Sequence, residues 1–169
     1  MSKPFVAVLM GSDSDLPTMQ ATLDVLGKLD IPCEVRITSA HRTPAATHEY
    51  VTGAEARGCS VFIAAAGLAA HLAGAVSAIT VRPVIGVPLD AGPLQGMDAL
   101  LSTVMMPGGI PVACVAVGKA GAKNAAYLAA QIMAVSDNAL AARLREERQS
   151  NAAAIQEKNA ALQASLKSQ

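Results

Sequence analysis

Apolar runs that stop at glycine or at polar clusters alternate with amphipathic stretches along nearly the whole chain. The runs predict five strands, at residues 4–10, 33–40, 60–66, 83–89 and 112–117. The stretches that follow them predict helices, at about residues 15–29, 44–57, 69–79, 97–105 and 120–135. Strands that alternate with helices at short spacing form βαβ units, which give a parallel sheet with right-handed crossovers. The chain is therefore predicted to fold as a three-layer α/β/α sandwich.

A sandwich of this kind, flavodoxin-like or Rossmann-like, binds its ligands at the carboxyl ends of its strands. The unusual polar clusters of this sequence all follow predicted strands. Residues 137–169 are different, because they are polar and rich in alanine, with leucine or isoleucine only at intervals. We therefore expect an α/β domain over residues 1–136 and a C-terminal helical extension over residues 137–169. This extension would lie on the domain or on a neighbouring subunit.

Composition excludes several classes of protein. The thirteen Lys and Arg residues balance thirteen Asp and Glu residues, so the net charge is zero. A nucleic-acid binder would instead carry an excess of positive charge to neutralise phosphates. With 52% hydrophobic residues the chain is also too apolar to be disordered. Only 2% of the residues are aromatic, so the apolar content is mostly small, which favours close packing and a large interface between subunits.

One uncharged stretch, residues 61–79, is long enough to span a membrane. Gly67 divides it into a β-branched half and an alanine-rich half, and His71 lies near its middle, so a strand followed by a helix fits it better. No cationic segment precedes an apolar run at the start of the chain, so no secretory signal is predicted. Three widely spaced cysteines predict small buried thiols in a reducing cytoplasm rather than disulfides or a zinc site.

The sequence Gly-Ser-Asp-Ser-Asp follows the first strand, at residues 11–15. Ser12 or an Asp here can cap the helix that comes next. The same helix start can bind an anion through its free N–H groups and its dipole. Capping explains one such residue, whereas four polar residues in a row favour a ligand site. The spacing matches neither a Walker A loop nor a GxGxxG loop, so a mononucleotide fits better than ATP.

The sequence Ser-Ala-His-Arg-Thr-Pro follows the second strand, at residues 39–44. His41 is the kind of side chain best suited to proton transfer near neutral pH. Arg42 supplies a permanent forked cation for phosphate or carboxylate. Pro44 fits the first turn of the next helix, and Thr43 is then the residue expected to cap it. Thr43 thus has a structural explanation, and His41 and Arg42 do not.

The other two histidines have weaker signals. His71 is predicted one turn into the helix after the third strand, where it fits either a hydrogen-bonded core group or a site residue. His48 lies two helical turns beyond His41 and is interpreted as structural. The three histidines have no HxxxH or HExxH spacing, so no metal site is predicted.

Together the motifs GSDSD, SAHRTP, AAHL, MPGGIPV and GKAGAKNAA occur in one order and at characteristic separations. On these motifs the chain resembles the N5-carboxyaminoimidazole ribonucleotide mutase family, also described as phosphoribosylaminoimidazole carboxylase catalytic subunits. The similarity covers about residues 5–134, and HRTP and AAHL are typical of the bacterial branch. The resemblance implies an octameric enzyme of purine biosynthesis that uses no cofactor and no metal. It would move a carboxylate from the exocyclic nitrogen of aminoimidazole ribonucleotide to a ring carbon, with carbon dioxide as a transient intermediate.

The resemblance also implies roles for individual residues. His41 would be the general acid/base, and His71 would be the second catalytic residue. The substrate-binding set that it implies is Ser12, Ser14, Asp15, Ser39, Arg42, Gly67, Ala69 and Ala70. In that set Arg42, Ser12 and Ser14 would hold the phosphate, and Asp15 would bind the ribose. The backbone of residues 67–70 would close over the base and the carboxylate.

The chain departs from the family pattern in the loops after the third and fourth strands. Leu68 stands where the pattern has glycine, Ala73 where it has proline, and Met105 where it has glutamine. Two other interpretations therefore stay open beside the mutase. One is direct carboxylation of aminoimidazole ribonucleotide by carbon dioxide. The other is a non-catalytic module that binds a mononucleotide on the same fold; a flavin is disfavoured because no aromatic residue lies near the strand-end loops.

Overall fold

The protein is described here by a computed structural model, which covers residues 3–167. Five parallel strands form one sheet in the order β2-β1-β3-β4-β5, which is the flavodoxin-like order. The strands are β1 (Phe5–Met10), β2 (Cys33–Ile37), β3 (Cys59–Ala66), β4 (Val84–Pro88) and β5 (Ala113–Cys114). The helices are α1 (Leu16–Lys28), α2 (Pro44–Ala56), α3 (Leu72–Ser77), α4 (Met97–Val104), α5 (Gly118–Ala134) and α6 (Asn138–Lys167). The predicted α/β/α sandwich with a C-terminal helix is confirmed.

Strands β1 and β3 form the centre of the sheet and are buried on both faces. One face of β1, which carries Val6 and Val8, packs with helices α1 and α5. The opposite face, which carries Ala7 and Leu9, packs with residues of α2 and α3. Because successive strand residues point to opposite faces, a strand covered on both sides must be apolar throughout. This requirement explains the continuous apolar runs in the sequence.

Alanines of α5 allow that helix to lie close to the sheet. Ala122, Ala125, Ala126 and Ala129 are fully buried in the core. Gly121 leaves room for the segment that leads from β5 into α5, because a β-carbon there would overlap the carbonyl oxygen of Ala116. The small apolar residues of this helix are thus used within the chain itself, in the contact between helix and sheet.

The strands at the two edges are shorter than predicted. Strand β5 has two residues instead of six, because it pairs only with β4 before the chain turns into α5. Strand β2 ends at Ile37, although the N–H of Thr38 still donates to the carbonyl of Met10 at 2.8 Å. Most of β2 is exposed, because β1 is its only neighbour in the sheet.

Helix α6 is anchored to the body only by its first turns. Leu140 and Leu144 join the core, and Glu147 is the last buried residue of the helix. Burial opposes ionisation of Glu147, yet hydrogen bonds from Lys28 and from the hydroxyl of Tyr127 hold the pKa of this carboxyl below its ordinary value. Residues 148–167 are all exposed. At 1.5 Å per residue they extend the helix by about 30 Å.

The expectation of buried thiols is only partly right. Cys59 is buried and Cys114 half-buried, but Cys33 is exposed because it begins the edge strand β2. The apolar stretch 61–79 forms β3, a loop and α3, as predicted. Within the described residues no helix has the length and apolar content needed to cross a membrane.

Candidate active site

A cavity of about 490 Å³ lies at the carboxyl ends of the central strands. The loops that follow β1, β2, β3 and β4 all contribute to it, as expected for a sheet of this order. Its lining consists of Gly11, Ser12, Ser14, Asp15, Ser39, Ala40, His41, Arg42, Ala66, Gly67, Leu68, Ala69, His71, Leu72 and Ala91. A second cavity of about 470 Å³ lies where the strands begin, beside Lys3 and Arg143, at the edge of the sheet opposite to the predicted site residues.

The loop after β1 forms a short 3-10 turn, Asp13–Asp15, before α1 begins. The hydroxyl of Ser12 accepts a hydrogen bond from the N–H of Ser14, and Asp15 accepts one from the N–H of Ser12 at 3.0 Å. This reciprocal capping box caps the 3-10 turn rather than α1, for which the cap was predicted and which has no side-chain cap bond of its own. Burial raises the pKa of Asp15, while the N–H groups of Ser12 and Gly11 oppose that shift.

Arg42 ties the loop after β2 to the loop after β1. Its Nη2 donates to the carbonyl of Gly11 at 3.3 Å, and its backbone N–H donates to the hydroxyl of Ser39 at 3.1 Å. Thr43 does stand at the start of α2, but the prediction that its side chain caps the helix is wrong. The N–H of Ser39 donates to the Thr43 hydroxyl instead, so Thr43 closes its own loop.

His41 and His71 are in direct contact inside the cavity. Nε2 of His41 lies 2.8 Å from Nδ1 of His71, and the rings meet edge to face with centroids 4.9 Å apart. One ring must donate and the other accept in this hydrogen bond. The pair can therefore carry one positive charge without breaking, but not two. Proton transfer between two adjacent imidazoles is the chemistry that this arrangement allows.

The position of His71 differs from the prediction. It lies just before α3, which begins at Leu72, and not one turn inside a helix. The loop between β3 and α3 is not helical, and within it Leu68 adopts a φ of +55°. The N–H of His71 then bonds to the carbonyl of Ala69 at 2.8 Å, and the helix starts only after that turn.

Nine of the ten predicted site residues line this cavity. The exception is Ala70, which is 2% exposed and packs inward behind the loop. The sequence did not point to Ala40, Ala66, Leu72 or Ala91 as lining residues. Their small or aliphatic side chains carry no chemical signal, and only their places next to strand-end motifs could have identified them. His48 is exposed on α2 and lies outside the cavity lining.

The site combines a capped loop before α1, an arginine and a histidine pair at the carboxyl edge of a doubly wound α/β sheet, an arrangement suited to a small anionic ligand. The chain belongs to the AIR carboxylase family, whose model matches residues 5–154. This finding confirms the resemblance seen in the motifs.

This chain is also similar to curated proteins over most of its length. It is 52% identical over 147 residues to the N5-carboxyaminoimidazole ribonucleotide mutase of Bacillus subtilis, covering 87% of this chain and 91% of that protein. It is 50% identical to the mutase of the same name from Pyrococcus horikoshii, covering 85% of this chain and 80% of the other. A crystal structure of Treponema denticola PurE superimposes with a TM-score of 0.86 at 32% identity, covering 95% of this chain and 99% of that one.

Proposed function

We propose that the protein interconverts N5-carboxyaminoimidazole ribonucleotide and 4-carboxy-5-aminoimidazole ribonucleotide, with His41 as the general acid/base. The reaction class follows from the family and from relatives at about half identity that carry the mutase name. The observation that carries the mechanism is the His41–His71 hydrogen bond, set beside Arg42 in one cavity. An isomerisation of this kind needs a place for a phosphate and a group that moves a proton, and the presence of Arg42 and two histidines in one cavity supports both assignments.

The phosphate and ribose are assigned to the polar end of the cavity. Arg42 contributes a forked cation, and Ser12 and Ser14 contribute hydroxyl groups near the start of α1. Asp15 is held by the loop after β1 at a place where it can accept hydrogen bonds from ribose hydroxyls. Ser39 positions the backbone of Arg42. These assignments leave the base and its carboxylate for the end near His71.

The proposed reaction has two steps, a decarboxylation and then a carboxylation. The carbon–nitrogen bond of the carbamate breaks, carbon dioxide leaves, and the protonated His41–His71 pair gives its proton to the departing nitrogen. The ring carbon next attacks carbon dioxide, a carbon–carbon bond forms, and the proton lost from that carbon returns to the pair. The histidines end as they began, so no external acid, base or oxidant is consumed.

Separate assays with each substrate test this function. We expect the purified protein to convert N5-carboxyaminoimidazole ribonucleotide without ATP and without added bicarbonate. The conversion is measured by the ultraviolet absorbance of the product. Turnover only with aminoimidazole ribonucleotide and bicarbonate would favour direct carboxylation. Tight binding of the nucleotide without turnover of either substrate would favour the non-catalytic module.

We also propose that the protein assembles as an octamer, as the motif resemblance implies. Large apolar side chains exposed along α4 and the loop after it support this, as do those at the end of α6: Met97, Leu101, Val104, Met105, Ile155, Leu162 and Leu166. Burial of these large apolar side chains between subunits would remove them from water, which favours association. Light scattering of the full chain should give a mass near eight times 17.1 kDa, and a monomer would contradict the proposal.

The sequence has three widely spaced cysteines and no CxxC pair, a pattern more typical of a reducing compartment than of a disulfide framework. We therefore place the reaction in the cytoplasm.

A further inference from the structure

Leu68 lines the cavity in a backbone conformation that ordinarily selects glycine. Its φ is +55°, and its side chain is 52% exposed at the cavity mouth. In the left-handed backbone region, a residue with a branched side chain has a higher conformational free energy than glycine. Such a conformation persists where contacts with the surrounding structure hold the residue in place.

One such contact is with the loop after β4. A β-carbon at Gly92 would lie 2.6 Å from Cδ2 of Leu68, so the leucine side chain rests on the bare backbone of Gly92. One residue earlier in each loop the approach is equally close, because a β-carbon at Gly67 would lie 2.6 Å from the β-carbon of Ala91. The two loops thus meet through one large apolar side chain and three small residues.

The lining of the cavity has two chemically different ends. Ser12, Ser14, Asp15 and Arg42 make one end polar, and they follow β1 and β2. The end that follows β3 and β4 is apolar except for His71, and its apolar members are Ala66, Leu68, Ala69, Leu72 and Ala91. Of these five, Leu68 is the large side chain at the mouth, whereas Leu72 is buried beneath.

We propose that Leu68 is a positioning residue that retains carbon dioxide between the two bond-making steps by closing the apolar end of the cavity against Gly92. This proposal rests on the proposed function. After the carbon–nitrogen bond breaks, carbon dioxide either escapes or meets the ring carbon. An uncharged, apolar molecule is held by apolar walls and by exclusion of water, and escape requires the Leu68–Gly92 contact to open.

Leu68→Gly is a clean test, because glycine adopts the observed φ without strain and the loop keeps its backbone path. Unlabelled N5-carboxyaminoimidazole ribonucleotide is supplied in buffer that contains ¹³C-bicarbonate, and the label that enters the product is measured. A reaction without enzyme corrects for carbon dioxide that the substrate releases spontaneously. We expect label in the product and free aminoimidazole ribonucleotide, each relative to total product, to rise about 3- to 10-fold, with KM changed less than twofold. Leu68→Met replaces the leucine by an apolar side chain of similar size and should keep retention near the parent level.

Leu94→Gly is the matched control, because Leu94 is an exposed leucine of the β4–α4 loop that does not line the cavity. It should leave labelling at the parent level. If the parent converts the substrate and Leu68→Gly labels no more than the parent, the retention role is wrong while the mutase function stands. If Leu68→Gly and Leu94→Gly increase labelling of the product equally, greater flexibility of the loops explains the result, and the retention role of Leu68 is also wrong. If the parent converts nothing, the proposed function fails and the retention role fails with it.

Discussion

Replacing His41 by asparagine should reduce kcat by about 10²- to 10⁴-fold, the range in which a positioned acid/base contributes to catalysis. Asparagine keeps a polar side chain but cannot carry a proton between the nitrogen and the ring carbon. It also removes Nε2, which bonds to His71, so the remaining histidine loses its partner. Nucleotide affinity should stay within a few-fold, because the phosphate contacts assigned to Arg42 and the β1 loop are untouched.

The measurement is a steady-state assay together with calorimetric titration of the nucleotide. His48→Asn is the matched control, since His48 is exposed on α2 outside the cavity and should change neither quantity. Near-normal kcat in His41→Asn would contradict the acid/base assignment. A loss confined to affinity would instead make His41 a binding residue.

Replacing Arg42 by alanine should act mainly on binding. Hydrogen bonds to charged groups contribute about 1.5–3 kcal/mol, so we expect KM to rise about 10- to 150-fold with kcat less affected. Arg42 also bonds to the carbonyl of Gly11, so its loss loosens the contact between the first two loops. Arg42→Lys should recover only part of the affinity, because lysine keeps the charge and loses the fork.

Arg36→Ala is the control for a general loss of positive charge. Arg36 lies on the exposed strand β2 over the ring of Tyr50 and does not line the cavity. Its removal should leave KM near the parent value. An Arg42→Ala variant with unchanged KM would place the phosphate elsewhere in the cavity.

Much of this fold could be predicted from the sequence, because its signals are local. A strand covered on both faces must be apolar at nearly every position, and residues 4–10 and 61–66 are apolar throughout. Parallel topology then brings the carboxyl ends of β1, β2 and β3 to one edge, so polar residues after each strand had to converge. Nine of ten predicted residues meet in one cavity for that reason.

The features that escaped prediction depend on contacts between distant segments. His41 and His71 are thirty residues apart, and nothing in either motif states that their rings touch. Thr43 could be assigned as a cap from its place before Pro44, but the competing bond from Ser39 decides its orientation. The role of Leu68 depends on the bare backbone of Gly92 in a different loop, and a pattern read along the chain does not show that pairing.

The position of α5 in the chain has a consequence for biosynthesis of the protein on the ribosome. Every residue that lines the cavity lies between Gly11 and Ala91, whereas the helix that covers one face of β1 and β3 begins at Gly118. At 5–20 residues per second, about 2–9 s separate translation of residue 91 from that of residue 134. During that interval the nascent sheet has its loops and α1, but lacks the part of the cover for Val6, Val8 and Ile63 that α5 supplies. Partial exposure of these side chains makes the nascent chain prone to aggregation during this period.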